Sequence, residues 1–306
     1  MSFIDKALEK AKELHHLKKK PAPPLEPERV LQDEASSLIR PETWVTPAPA
    51  EEYAYTITRT VAVDPQNLHR QRLIVGKEFF QAGEGYKLLR TRILQRTRPH
   101  GYNTLMITGP NQGEGKTLTA INLAISISQE VGQSVILVDM DLRYPSVGQY
   151  FGLSTGPGLV DYLINDIPLT QILVHPDGLG KLVLLPGGKP VTQAAELIGS
   201  PSMAALVQEL KQFYPDRWVL FDLPPLLSVA DALAFAPLVD GIMVVVEAGK
   251  TSKEDIGRCL EMLKPFRVLG FILNKLETSS SSYHYSYHSE SPTKAGGPRP
   301  LDNPHV

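Results

Sequence analysis

The sequence predicts an α/β protein with a doubly wound parallel sheet, and three observations support this prediction. Apolar runs of strand length alternate with helical patterns between residues 104 and 273. The runs are apolar throughout, as in parallel strands that are covered on both faces. Carboxylates directly follow two of the runs, at the edge of the sheet where such folds bind ligands.

The predicted elements are six strands and three helices. Strands are predicted at Thr104–Thr108, Ser134–Asp139, Leu182–Leu185, Trp218–Asp222, Gly241–Val246 and Val268–Leu273. Helices are predicted from Lys116 to about Val131, near Met203–Phe213 and near Lys253–Lys264.

The chain as a whole divides into four predicted regions. Residues 1–20 have helical spacing of apolar side chains and should form an amphipathic helix, which packs on its own chain or docks on a partner or an anionic membrane. Residues 21–75, rich in proline and acid, are predicted to be mostly linker, apart from a strand-like stretch over 53–63. The folded domain is expected over 76–276. Residues 277–306 are predicted to be a flexible, disordered extension.

Composition narrows the class of protein. Of 306 residues, 42% are hydrophobic and 21% charged, which is typical of a soluble globular chain, and the net charge of -2 gives no indication of nucleic-acid binding. The single cysteine, Cys259, cannot form an internal disulfide. No apolar run reaches the ~20 residues of a membrane span, and the N-terminus lacks a signal-peptide core. We therefore expect a cytoplasmic protein.

The strongest motif is a glycine-rich turn between the first strand and the first helix, Gly109-Pro-Asn-Gln-Gly-Glu-Gly-Lys-Thr117. Backbone N–H groups of such a turn converge on phosphate oxygens, and the helix N-terminus adds partial positive charge. Lys116 can reach the β- and γ-phosphates, and Thr117 can offer its hydroxyl to Mg²⁺. Pro110 stands where the common form of the motif has glycine. A tight turn without a ligand is the alternative, which the strand–helix context disfavours.

The turn therefore predicts a P-loop that binds ATP and Mg²⁺. The expected ATP contacts in the loop are Gly113, Glu114, Gly115, Lys116, Thr117 and Leu118.

Carboxylates at two further strand ends fit the same site. Asp139 and Asp141 point the same way if their strand continues through them, and Asp222 ends another apolar strand. Acids at this edge can hold Mg²⁺ or accept a hydroxyl proton. A lone acid after a strand is usually a helix cap, but three acids beside a phosphate loop disfavour that alternative. Arg143 is predicted to contact phosphate or a neighbouring subunit.

These motifs together resemble those of a known family. Gly-Glu-Gly-Lys-Thr, Leu-Val-Asp-Met-Asp-Leu-Arg and Leu-Phe-Asp-Leu-Pro-Pro are similar to the Walker A, A′ and B motifs of the bacterial tyrosine kinases of polysaccharide co-polymerase systems. The similarity spans about residues 78–275, and residues 184–189 and 195–200 resemble further stretches of the family. The opening residues 1–10 are similar to the subgroup found in exosortase-linked exopolysaccharide loci.

The resemblance implies a P-loop NTPase fold of the MinD/ParA kind and ATP-dependent autophosphorylation in trans. The implied acceptors are Tyr283, Tyr285 and Tyr287 in the tail, and Asn274 is implied to contact adenine. The implied partners are a transmembrane co-polymerase as activator, a cognate tyrosine phosphatase and further copies in a ring. The implied process is chain-length control and export of a surface polysaccharide, with the protein held peripherally at the inner membrane by its partner.

The implied ring contact lies in Glu84-Gly-Tyr-Lys-Leu-Leu-Arg90, which resembles the family's Glu-x-x-Arg-x-x-Arg. Glu84 and Arg90 match this pattern, whereas Lys87 replaces the first arginine. Lysine does not reproduce a bidentate arginine contact, so a weaker contact between subunits is expected. Arg143 is the further residue predicted to contribute to oligomerisation.

The mechanism expected from these residues is positioning and charge neutralisation. Lys116 and the loop N–H groups would hold the phosphates, while Thr117, Asp139 and Asp222 would hold Mg²⁺ directly or through water. Asp141 is the predicted base for the tyrosine hydroxyl, with Asp139 as the alternative.

Other functions stay open at this point. A positioning ATPase of the ParA and MinD kind shares the fold, but has a lysine five residues before Lys116, where this chain has Asn111. A nucleotide-binding scaffold without chemistry would lose the loop lysine or an acid, and none is lost. The tail could also be a low-complexity segment without acceptor function. A kinase of the eukaryotic fold is excluded because the chain has no His-Arg-Asp or Asp-Phe-Gly triplet.

Overall fold

The structure, a computed structural model, describes residues 58–76, 79–212 and 217–276. The predicted N-terminal helix, most of the predicted linker and the tyrosine-rich tail lie outside the described residues. The described strands are β1 (Arg59–Val61), β2 (Thr104–Thr108), β3 (Ser134–Asp139), β4 (Val174–Pro176), β5 (Leu182–Leu185), β6 (Arg217–Asp222), β7 (Gly241–Glu247) and β8 (Val268–Asn274).

The described α-helices lie between these strands. They are α1 (Pro65–Arg70), α2 (Phe80–Thr97), α3 (Lys116–Ser128), α4 (Val147–Tyr150), α5 (Leu159–Asn165), α6 (Leu169–Ile172), α7 (Ala194–Ile198), α8 (Pro201–Gln212), α9 (Asp231–Phe235) and α10 (Lys253–Leu263). None of them combines the length and the hydropathy that a bilayer-spanning helix needs.

The strands form one eight-stranded sheet in the order β1-β4-β5-β3-β6-β2-β7-β8. All neighbours are parallel except β4 and β5, which are antiparallel. The six strands predicted from apolar runs are present within one residue of their predicted bounds. The predicted doubly wound α/β fold is confirmed.

Helices cover the sheet on both faces, and each face has its own apolar core. One core contains the inward sides of α8, α9 and α10, including Met203, Phe235 and Leu263. The other contains α1, α2 and α3. Cys259 is buried in the first core, and burial raises the pKa of its thiol to about 11, so it is an inert packing residue.

The folded domain begins earlier than the predicted boundary at residue 76. β1 joins the sheet beside β4, and Leu68 and Leu73 are buried in the core under α3. The backbone N–H of Ile74 donates to Oδ1 of Asn122 at 3.0 Å. β1 lies within the strand-like stretch predicted over 53–63. The helix Pro65–Arg70 has only six residues, too few for a clear helical period, and contacts with the rest of the fold stabilise it.

The sheet brings the predicted site residues to one edge. Asp139 and Asp222 are partners in the register of β3 and β6, and Asp222 also stands opposite Ile107 of β2. The glycine-rich turn follows β2 directly. The phosphate loop and two of the three acids therefore meet at the carboxyl ends of three adjacent strands.

Substitution of Leu73 by alanine tests whether the residues before 76 belong to the cooperative domain. Leu73 is fully buried, so Leu73→Ala should lower the free energy of unfolding by about 2–5 kcal/mol. Leu276→Ala is the matched control, because Leu276 is 59% exposed and its loss should cost under about 0.5 kcal/mol. Urea denaturation of the full chain measures both, and equal effects would place Leu73 outside the cooperative unit.

Candidate active site

The glycine-rich loop has a backbone that only glycine adopts without strain. Gly113 and Gly115 have φ angles of +83° and +89°, in the left-handed region. A Cβ on Gly115 would lie 2.2 Å from Nδ2 of Asn274, whereas one on Gly113 would meet no atom within 4 Å. Nδ2 of Asn274 donates to the carbonyl oxygen of Glu114 at 2.8 Å. Close approach to Asn274 thus fixes glycine at position 115.

Glu114 braces the loop from inside. Its side chain is buried, and its Oε2 accepts the backbone N–H of Asn111 at 2.9 Å while Oε1 accepts the hydroxyl of Thr251 at 2.8 Å. Both carboxylate oxygens are therefore engaged within the chain. Only the backbone N–H of Glu114 is therefore available for its predicted contact with ATP. The sequence did not predict the hydrogen bond between Glu114 and Thr251.

Two further side chains hold the loop from the segment that contains β7, α10 and β8. Nδ2 of Asn111 donates to Asp255 at 3.1 Å. Lys275 donates to the carbonyl oxygen of Gly113 at 2.7 Å and pairs with Glu247 at 3.1 Å. The loop is thus preorganised by partners far away in sequence.

Lys116 is largely buried and points along the loop. Its Nζ donates to the carbonyl oxygen of Asn111 at 2.7 Å. Since an ammonium group has three donors, two are left for phosphate oxygens. Burial lowers the pKa of Lys116, and the charges of Glu114, Asp222 and Asp141 oppose that shift.

Asp222 is a fully buried carboxylate, with the hydroxyl of Thr117 as its nearest potential donor. Among the described residues, neither of its oxygens has a hydrogen-bond partner. Burial raises its pKa well above the ordinary value and the charge of Asp139 raises it further, while the Thr117 hydroxyl and Lys116 partly offset the rise. A carboxylate in this environment fits a bound cation, because burial without a partner is costly.

Asp139 is engaged on one side only. Its Oδ2 accepts the backbone N–H groups of Ser146 and Val147 at 2.8 and 2.9 Å, which fixes the start of α4. Its Oδ1 has no hydrogen-bond partner in the described part of the chain. Burial raises the pKa of Asp139 to about 7, against the effect of the two N–H groups. Asp139 borders a small cavity of about 60 Å³ beside Gly187 and is not among the residues that line the main cleft.

The main cleft has a volume of about 440 Å³. It brings together seven of the predicted site residues, namely Gly113, Gly115, Lys116, Thr117, Leu118, Asp141 and Arg143. The opposite wall is formed by the segment after β6, residues 223–229. Asp139 and Asp222 lie behind the wall of this cleft.

Asp141 is the acid that faces the cleft. Burial raises the pKa of its carboxyl group, and the Tyr144 N–H, which donates to Oδ1 at 3.1 Å, lowers it together with Lys116. The cleft also contains the half-buried Tyr150, whose pKa is raised by burial and by the charge of Asp222. Sequence reasoning did not identify Tyr150, because nothing in the motifs marks it.

Arg143 is held by its own chain. Its Nε and Nη2 donate to the two carboxylate oxygens of Asp231 at 2.8 and 3.0 Å, and Nη1 donates to the carbonyl oxygen of Thr192 at 2.9 Å. Asp231 is fully buried, and its bonds raise the pKa of Arg143. The guanidinium thus has a defined intramolecular position beside the cleft. Its predicted role between subunits stays a prediction.

The three residues of the predicted ring motif lie on α2. Lys87 pairs with Glu84 at 2.7 Å on the surface. Arg90 is mostly buried, donates to the carbonyl oxygen of Ser126 and pairs with Glu130 at 2.7 Å. Glu84 and Lys87 are therefore accessible to a neighbouring copy, whereas Arg90 also fastens α2 to the end of α3.

The acids fit a magnesium site that is completed by a nucleotide. Within the described residues, no group of three or more His, Cys, Asp or Glu side chains could hold a metal ion alone. Mg²⁺ usually takes one or two carboxylates and fills its other positions with phosphate oxygens and water. The unpartnered oxygens of Asp222 and Asp139, with the hydroxyl of Thr117, match that requirement.

Comparison with known proteins decides the family. Residues 105–291 match the family described as "CobQ/CobB/MinD/ParA nucleotide binding domain". The chain is 35% identical to the tyrosine-protein kinase YwqD of Bacillus subtilis over 207 residues. The aligned part covers 67% of this chain and 85% of YwqD. The chain belongs to the bacterial tyrosine kinases within this nucleotide-binding family. The resemblance of the three motifs is thereby confirmed.

Two other relatives of this bacterial tyrosine kinase are informative. The kinase domain of the Escherichia coli tyrosine kinase ETK superimposes with a TM-score of 0.63 at 27% identity, covering 75% of this chain and 93% of that domain. The succinoglycan biosynthesis transport protein ExoP of Rhizobium meliloti is 37% identical over 169 residues, which are 54% of this chain and only 21% of ExoP. The shared part is therefore a small portion of that longer protein.

A pair of loop variants tests the close approach at Gly115. Both Gly113→Ala and Gly115→Ala meet the backbone strain of a left-handed residue, which costs about 1–2 kcal/mol. Only Gly115→Ala also displaces Asn274, so it should weaken ATP binding at least about tenfold more than Gly113→Ala. Titration with a fluorescent ATP analogue measures both affinities. Equal losses would show that the contact with Asn274 does not shape the loop.

The raised pKa of Asp139 predicts a pH dependence of stability. Its carboxyl group stays protonated in the folded chain up to about pH 7 but ionises near 3.8 when unfolded. Between these values the folded chain binds the extra proton. This part of the stability is therefore complete below the unfolded pKa and is lost as the pH rises through about 7, by at most about 1.4 kcal/mol per pH unit.

Urea unfolding of the magnesium-free chain between about pH 4 and pH 8 measures this slope. Asp139→Asn keeps an oxygen that can accept the N–H of Ser146 but cannot titrate, so its slope should be shallower than that of the unmodified chain. Identical slopes would show that Asp139 is not protonated in the folded state.

Proposed function

We propose that this tyrosine kinase uses ATP with Mg²⁺ to phosphorylate Tyr283, Tyr285 and Tyr287 in the tail of a neighbouring copy. The observation that supports this most is the cleft itself, in which Lys116 and Asp141 stand together beside the buried, unpartnered Asp222. The three tyrosines lie outside the described residues, and the proposal that they are acceptors depends on the sequence and the family.

The nucleotide would be held by the loop. Backbone N–H groups from Gly113 to Leu118 would surround the phosphates, and the two remaining donors of Lys116 would bind β- and γ-phosphate oxygens. Mg²⁺ held by Thr117 and Asp222 would neutralise charge that develops on these oxygens. Asn274 already bonds to the loop backbone through Nδ2, which leaves its Oδ1 for the proposed contact with adenine.

Asp141 is the better placed of the two candidate bases. It faces the cleft, whereas Asp139 lies behind it with one oxygen engaged by two N–H groups. Its raised pKa makes Asp141 a stronger proton acceptor than an ordinary aspartate. We propose that Asp141 accepts the proton of the tyrosine hydroxyl. Asp139 would position the loop before α4 and contribute to magnesium binding through water.

The wider setting follows from the relatives. ExoP is named for the biosynthesis and transport of a polysaccharide, and most of its length lies outside the part shared with this chain. We therefore propose that this chain controls the chain length and export of an exopolysaccharide together with a separate transmembrane co-polymerase. That partner would activate the kinase and hold it at the inner membrane, and a cognate tyrosine phosphatase would reverse the modification. The similarity of residues 1–10 to the exosortase-linked subgroup supports a proposed locus of that kind.

Self-association completes the proposal. Glu84 and Lys87 on the exposed side of α2 would meet a neighbouring copy, with Arg90 and Arg143 supporting the contact. Each phosphate adds a charge of about −1.5 to −2 at neutral pH. Several phosphates on one tail would repel one another and the acidic site, which would release the tail and loosen the ring.

The positioning-ATPase alternative is not favoured. The relatives over the full domain are tyrosine kinases. The early loop lysine of that class is replaced by Asn111, whose carbonyl oxygen and amide both serve the loop of this chain.

Phosphosite mass spectrometry tests the acceptor assignment. The full chain is incubated with ATP and Mg²⁺, with and without the cytoplasmic part of a co-polymerase. Phosphate should appear on the three tail tyrosines, and Lys116→Ala should reduce its amount about 100-fold or more, because the main cation at the phosphates is lost. ATP hydrolysis without phosphotyrosine, even with the partner present, would contradict the proposal.

A further inference from the structure

Arg143, at the edge of the cleft, forms an ion pair with Asp231 through two hydrogen bonds. Asp231, the first residue of α9, is fully buried, and both of its oxygens are used by this one guanidinium. The geometry is bidentate, which fixes the plane of the guanidinium as well as its position. A buried ion pair contributes little net stability, because desolvation of the two charges offsets their attraction. The main effect of this pair is therefore to hold the guanidinium in one position and orientation.

A third bond completes the fixation. Nη1 of Arg143 donates to the carbonyl oxygen of Thr192, in the segment before α7. Three segments distant in sequence therefore determine where the guanidinium stands: the loop after β3, the start of α9 and the approach to α7. Three of its five N–H groups are taken by these bonds, and the other two remain for a ligand in the cleft that Arg143 lines.

Arg143 lies in the part of the cleft where the acceptor tyrosine would enter, close to the proposed base. It lies two residues after Asp141, the proposed base, and both side chains line the same cleft as Lys116. Arg143 is close enough to Asp141 for the charge of that carboxylate to contribute to the raised pKa of Arg143, after the larger effect of the bond to Asp231. The charge of Asp231 also contributes to the raised pKa of Asp141, after the larger effect of burial.

We propose that Asp231 is a positioning residue for phosphoryl transfer, which holds Arg143 so that its two remaining N–H groups bind the phosphoryl group on its way to the acceptor tyrosine. This inference rests on the proposed function. In the step, the phenol oxygen forms a bond to the γ-phosphorus, the bond from that phosphorus to the β,γ-bridging oxygen breaks, and the phenol proton passes to Asp141. ADP is the leaving group, and Arg143 donates to equatorial oxygens of the moving group.

Two variants separate this role from simple stabilisation. Asp231→Asn removes the charge that orients Arg143 and keeps the shape of the side chain. Arg143→Lys keeps a cation but loses the planar fork that two partners can bind at once. Because Arg143 lies partly on the surface, with 28% of its side chain exposed, Arg143→Lys carries the test alone if Asp231→Asn fails to fold.

Asp240→Asn is the matched control. Asp240 is also a mostly buried carboxylate paired with a cation, Lys211, and it accepts bonds from Thr104. It stands beside the amino end of β2, at the edge of the sheet opposite the cleft. Its loss should lower the thermal midpoint without changing the rate of transfer.

The experiment measures three quantities on the full chain of each variant and of the unmodified protein. They are the single-turnover rate of phosphotyrosine formation at saturating ATP, the dissociation constant of a fluorescent ATP analogue, and the thermal midpoint. We expect Asp231→Asn and Arg143→Lys to lower the rate about 10–100-fold while the dissociation constant changes less than about threefold.

Two results would overturn the inference. A rate for both variants within about twofold of the unmodified chain, as for Asp240→Asn, would make the pair purely structural. A loss of nucleotide affinity as large as the loss of rate would assign the pair to ATP binding instead. Failure of the proposed function looks different, because the unmodified chain itself would then form no phosphotyrosine.

Discussion

Two carboxylates that cannot reach water determine the arrangement of this molecule. Asp139 and Asp222 stand opposite each other at the ends of adjacent parallel strands, and each is about 99% buried. Burial raises the pKa of both carboxyl groups, and the charge of Asp139 raises that of Asp222 further, so protonation of at least one of them is favoured without a cation. A divalent cation removes this conflict. The pair of buried carboxylates therefore suits the proposed binding of Mg²⁺ with a nucleotide.

The loops around this edge of the sheet place different groups near the two buried carboxylates. The loop before α3 supplies a cation and a hydroxyl through Lys116 and Thr117. The loop after β3 is fixed by Asp139 itself, which accepts the first N–H groups of α4. Only Asp141 of the three acids faces the cleft. In the proposed mechanism, Asp141 would receive the tyrosine proton, while Asp222 and Asp139 would contribute to magnesium binding and Asp139 also fixes the backbone before α4.

The sequence was sufficient for the central sheet and for the chemistry at its edge. Buried parallel strands are continuous apolar runs, and the P-loop and the acids after β3 and β6 belong to short motifs that can be read locally. The sequence was insufficient for β4, which has three residues and depends on its neighbours, whereas β1 lies within the strand-like stretch over 53–63. It also did not reveal the partners that hold the site. The pairing of Arg143 with Asp231 joins residues 88 positions apart, and no local pattern records such a contact.

The braces of the P-loop have a consequence for synthesis of the chain. Glu114, Asn111 and Gly113 are held by side chains 137 to 162 positions later, all contributed by the last part of the domain. A ribosome adds about 5–20 residues per second, so roughly 7–30 seconds pass between the synthesis of the loop and that of its braces. During this interval the nascent loop lacks its final shape. We therefore expect the loop to reach its full affinity for nucleotide only after residues up to Lys275 have been added.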